Sequence, residues 1–66
     1  MNKLREVRVV RRISQMQLRL LTGVNQTKIS WIENGYIKPK PEEKEKLSRA
    51  LGLPVEAVFP SAKDSE

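Results

Sequence analysis

Cysteine and histidine are both absent from the 66 residues, and each absence removes a class of chemistry. Without cysteine no disulfide braces the fold, and without either residue the thiolate and imidazole ligands of structural zinc are missing. The same gap removes the commonest general base near neutral pH and the most reactive nucleophile, so the chain is expected to be no enzyme and to use no metal or cofactor. Aromatics are scarce, with one Trp, one Tyr and one Phe. That is too few for a platform that stacks unpaired bases, or for the aromatic-studded amphipathic helix of a membrane-surface binder. The longest stretch without a charge is the eight residues from Leu20 to Thr27, against the roughly 20 apolar residues that span a bilayer. Met1-Asn2-Lys3-Leu4-Arg5 is too charged for a secretory signal, so a cytoplasmic protein without a membrane partner is expected.

What is present suits one small domain. A chain of this length buries only about 60% of the surface of its extended form, leaving one thin core and no deep pocket. The expected division is a domain over residues 1–60 and a frayed tail over 61–66. Charge is uneven along it. Met1 to Lys40 holds nine Lys or Arg against two Glu, a balance of +7, whereas Pro41 to Glu66 holds four against six, a balance of −2. Positive charge gathered on the front of a small domain favours a polyanion, through phosphate neutralisation and counterion release. Solvation of helix faces is the competing explanation.

Gly23, Gly35 and Gly52 stand where short helices would stop. Ser14-Gln15-Met16-Gln17 has the form of a capping box, and Ile13 with Leu18 has the spacing of a hydrophobic staple, so a helix is predicted from Gln15. Asn25 is a good N-cap and Val24 with Ile29 repeats the staple, which predicts a second helix from Gln26 to about Asn34. Its inward residues are Ile29 and Ile32, and at 100° per residue the opposite face carries Thr27, Ser30 and Trp31. Pro41 suits a first helical turn; Glu42 with Lys46 and Glu45 with Arg49 form i,i+4 pairs, and Leu47, Ala50 and Leu51 form the buried stripe. Leu53 to Phe59 reads as a last short helix, with Val55, Val58 and Phe59 assigned to the core. In the first segment Val7, Val9 and Val10 alternate as a strand would also allow, but a lone strand has no partner, so helix is preferred there with Leu4 and Val7 inward.

Two helices joined by Gly23-Val24-Asn25, with apolar Leu18, Val24, Ile29 and Ile32, form a helix-turn-helix whose second helix turns its outer face to something else. Here the sequence resembles the Cro and phage-repressor type of helix-turn-helix regulators, from Leu4 to Phe59. The resemblance rests on Ser14-Gln15, Thr22-Gly23-Val24-Asn25, Ile29 through Gly35, Lys38-Pro39, and Leu47 through Leu53 with Val58-Phe59. It implies a compact all-α bundle of five short helices that binds operator DNA in the major groove, commonly as a homodimer. By match of position, Gln26, Thr27, Lys28 and Trp31 would face bases or flanking phosphates, Trp31 having sideways packing as its alternative. Gln pairs with adenine, Thr meets thymine, and Lys reaches guanine or phosphate. Gln15 would meet a phosphate at the start of its helix, as the matching Gln does in the family, and Asn25 would act as cap and phosphate donor. Asn34 and Gly35, through main-chain N–H, and Lys38 would touch the other strand. Arg11, Arg12 and Lys40 are open between phosphate contact and solvation. In family members with Arg and Glu at the positions of Arg8 and Glu33, the two bridge the first helix to the end of the recognition helix, and the inward angle of Glu33 fits that structural role.

Arg19 stands where a small residue is usual, Leu20 and Leu21 where polar residues are, and Lys44 where an apolar one is common. The adjacent leucines suggest a covered surface. The expected function is a sequence-specific DNA-binding regulator, dimeric and a repressor in type; the alternative is an antitoxin-like interaction module that uses Leu20 and Leu21 to hold a protein.

Overall fold

Residues 2–60 are described by a computed structural model, in which α1 (Leu4–Val10), α2 (Gln15–Thr22), α3 (Gln26–Glu33), α4 (Pro41–Leu51) and α5 (Val55–Val58) are the regular elements, with no strand among the described residues. The all-helical, five-helix expectation holds. The tail assigned to residues 61–66 lies outside the described residues.

In α1, Leu4 is fully buried and Val7 partly so, while Val9 and Val10 are exposed, which is the helical choice between the two periodicities. Lys3 gives α1 no side-chain cap. Asn2 does that work instead: its Oδ1 accepts from the Leu4 N–H at 3.0 Å. The helix closes by a left-handed residue, with the Arg12 N–H donating to the Val9 carbonyl and the Ile13 N–H to the Arg8 carbonyl, each at 3.0 Å. That residue is Arg12, at φ 59°, and it is the sole non-glycine with positive φ among those described. A side chain in this conformation costs about 1–2 kcal/mol.

The predicted capping box of α2 is present: Ser14 Oγ accepts from the Gln17 N–H at 3.0 Å and Gln17 Oε1 from the Ser14 N–H at 2.8 Å. Gly23 ends the helix at φ 80°, and nothing lies within 4 Å of where a Cβ would stand, so backbone conformation alone asks for glycine. Thr22 then stitches the turn, its hydroxyl donating to the Leu18 carbonyl at 2.7 Å and accepting from the Val24 N–H at 3.1 Å.

Leu4, Leu18, Val24, Ile29, Ile32, Leu47, Leu51, Val58 and Phe59 make the core, with Ile13 and Val55 packed on its edge. Burying each of the larger ones contributes about 1.5–3 kcal/mol. Helix α2 packs on both α3 and α4, α1 on α3, and α5 on α4. Two sequence expectations are corrected. The last helix is shorter than Leu53–Phe59, because the Leu53 N–H still belongs to the end of α4, donating to the Ser48 carbonyl at 3.1 Å, and Phe59 leaves the helix at φ −124°. Glu45 bridges to Arg49 at 3.3 Å on an exposed face, but Glu42 and Lys46 form no ion pair among the described residues.

Candidate nucleic-acid interface

Helix α3 is short and turns its two faces to different media. Ile29 and Ile32 are fully buried, while Gln26, Thr27 and Trp31 are exposed and Lys28 and Ser30 partly so. At 1.5 Å per residue its eight residues span about 12 Å, close to the width of a B-DNA major groove, about 12 Å. Its first turn is held by Asn25, whose Oδ1 accepts from the N–H of Thr27 at 2.7 Å and of Lys28 at 3.4 Å. The Asn25 NH2 makes no hydrogen bond among the described residues, so cap and outward donor coexist on one side chain.

At the other end of α3 a carboxylate ties three helices together. Glu33 accepts from Arg8 Nε at 2.6 Å and Arg8 Nη2 at 3.3 Å, and from Gln15 Nε2 at 3.0 Å. The Arg8 and Glu33 side chains are 12% and 1% exposed, and Arg8 Nη1 also donates to the Ile13 carbonyl at 2.9 Å. A charge this far from water persists only when paired and hydrogen-bonded. Here α1, the start of α2 and the end of α3 are fixed by one group. Gln15 is therefore engaged within the protein, where the sequence pointed to a phosphate.

Main-chain donation from Asn34 and Gly35 needs correction as well. The Asn34 N–H and Nδ2 both donate to the Ser30 carbonyl, at 3.0 and 2.8 Å, and the Gly35 N–H donates to the Ile32 carbonyl at 3.1 Å. The physical reason is general: a helix carboxyl end has spare carbonyls and no spare amides. Consistently, the Asn2 side chain, from outside α3, donates to the Ile32 carbonyl at 2.9 Å. Lys38 and Lys40, by contrast, are exposed cations just beyond this end. Arg11 and Arg12 also separate: Arg11 Nη1 lies 3.8 Å from where a Cβ on Gly52 would be, beside the carbonyl end of α4, a favourable place for a cation.

Lys28 has a partner that the sequence did not suggest. Its Nζ lies 2.5 Å from Glu43 Oε2, and Glu43 Oε1 accepts from the Lys40 N–H at 2.8 Å. The hydrogen bond from Lys28, then the one from the Lys40 main chain, hold the Glu43 carboxyl below its ordinary value, against the small opposing effect of burial. Asn2 and Glu43 are thus the site residues missed. Glu43, two residues after Pro41, had the position of an N-terminal helix acid, but nothing local marks a partner 15 residues away.

Among the described residues no helix is long and apolar enough to cross a membrane. The family model for the helix-turn-helix domain matches residues 2–58. No curated protein matches the chain.

Proposed function

Because the chain belongs to the helix-turn-helix domain family, we propose that it is a sequence-specific regulator of transcription that binds double-stranded DNA. The finer reading is a repressor of the Cro and phage-repressor type, working in the cytoplasm as a homodimer on a two-fold symmetric operator. The observation that carries it is α3 itself: a helix anchored by Ile29 and Ile32, with Gln26 and Thr27 exposed on its first turn and Trp31 47% exposed one turn on. These three side chains meet base edges or the sugars beside them. Asn25, through its NH2, and Lys38, beyond the helix, bind phosphates; Asn34 and Gly35 shape that corner and contribute contact by proximity. Lys28 stands apart, because Glu43 already holds its ammonium. Nothing in this role asks for a cofactor, and residues 61–66 are assigned no part in it.

Titration with duplex at several salt concentrations, followed by Trp31 fluorescence, tests this function. Each neutralised phosphate adds about −0.9 to the slope of log affinity on log salt. A slope near zero, or a selected duplex bound no better than random ones, refutes it.

A second surface supports a protein partner beside DNA. Leu20 and Leu21 are 73% and 62% exposed on the outer side of α2, and Leu21 lines a shallow groove formed with Glu42, Glu45, Lys46 and Arg49 of α4. Exposed neighbouring leucines are what a homodimer or an antitoxin-like module covers. Replacing both with Glu abolishes self-association or partner capture while leaving affinity for a single half-site unchanged; equal loss of half-site binding rejects a separate surface.

A further inference from the structure

Lys28 is the only cation in α3, and its charge is turned toward α4. The partner is unusually fixed for a surface carboxylate. One oxygen of Glu43 takes the Lys28 ammonium at 2.5 Å while the other takes the Lys40 main-chain N–H at 2.8 Å, so Glu43 is held to the first turn of α4 by the backbone. The two side chains are 35% and 15% exposed, which leaves the pair less screened by water than the exposed Glu45 and Arg49 pair, at 64% and 79%. A lysine that reaches a phosphate has to leave a partner that cannot follow it.

Resting on the DNA-binding function above, we propose that Glu43 is a positioning residue, which holds the Lys28 ammonium away from the duplex so that α3 reads DNA with neutral side chains alone and adds no sequence-independent phosphate contact. The reason lies in what each contact discriminates. A cation on a phosphate strengthens binding to every sequence, whereas Gln26, Thr27 and Trp31 respond to the base edge in front of them. Taking one cation off the recognition helix lowers binding to every duplex equally and leaves the difference between sequences to the neutral side chains. The lowered pKa of Glu43 agrees with a carboxylate that stays charged in this pairing.

The test uses the full chain with Glu43→Gln, Lys28→Met and the double substitution, each titrated with the selected duplex and with random duplex across a salt series. Glu43→Gln is expected to steepen the salt slope by about 0.9 and to tighten binding of selected and random duplex alike, about fivefold near physiological salt, leaving the ratio of the two unchanged. The double substitution removes the pair without changing net charge, and it is expected to restore the parental slope. Thermal melts accompany each variant, so that a change of slope is read only on folded protein. A double substitution whose slope is shallower than the parent by about 0.9 means that Lys28 touches phosphate in the parent, and overturns the proposal. An unchanged slope in Glu43→Gln also overturns it. These failures are distinct from failure of the function itself, which appears as a parent protein with no salt-dependent preference for any duplex.

Discussion

Glu33, with 1% of its side chain exposed, is surrounded by three nitrogen donors on two other helices. Glu33→Ala strands the Arg8 guanidinium and is expected to lower stability by about 3 kcal/mol, read from denaturant unfolding at neutral pH. An unfolding curve that overlays the parent rejects this role. Ser48 presents the opposite case. Its hydroxyl is buried in the middle of α4 with no hydrogen-bond partner among the described residues. Ser48→Ala is expected to raise stability by about 1 kcal/mol, since it removes an unsatisfied polar atom and installs the best helix former. The two differ in how far sequence showed them. The inward angle of Glu33 exposed its need for a cation, because a charge facing a core has few solutions. A serine in a helix has many, and its burial depends on how α4 lies against its neighbours.

At the scale of the element, ends are marked more clearly than partners. Ser14 and Gln17 fix the start of α2, and Gly23 its end, because capping is chemistry between residues a few positions apart. Asn25→Ala is expected to cost about 1 kcal/mol by freeing the Thr27 and Lys28 amides, visible as a lowered melting temperature. The main-chain donation expected of Asn34 and Gly35 fails for a reason equally local: both N–H groups stand at a helix end where donors are already in use. The Lys28 to Glu43 bridge, joining α3 to α4, was beyond any local rule. It also sets an acid response. With the folded pKa of Glu43 below its ordinary 4.5, the bridge adds stability above that value, and the addition is lost as pH falls through the folded pKa. Melting temperatures measured from about pH 7 down to pH 3 should therefore fall less steeply for Glu43→Gln than for the parent, with the two curves converging at the acid end.

Across the whole molecule the helical class and the position of α3 were legible, because a bundle of this size has few ways to bury Leu18, Ile29, Ile32, Leu47 and Leu51 together. The crossing of the helices was not, since Arg19 and Lys44 break the usual pattern where helices meet, and both side chains find room at the surface or its edge. One shared core predicts one transition: far-ultraviolet circular dichroism and Trp31 fluorescence should report the same midpoint, and each 1 kcal/mol should move it by about 4–8 °C. Separate midpoints contradict a single cooperative unit. With so little stability in reserve, the left-handed Arg12 marks where heat resistance is most easily gained. Glycine there sheds the strain of a Cβ, about 1–2 kcal/mol, and gives back only part of it as added freedom of the unfolded chain, about 0.4–1 kcal/mol. A library randomised at that codon and screened after heating would be enriched in glycine and asparagine.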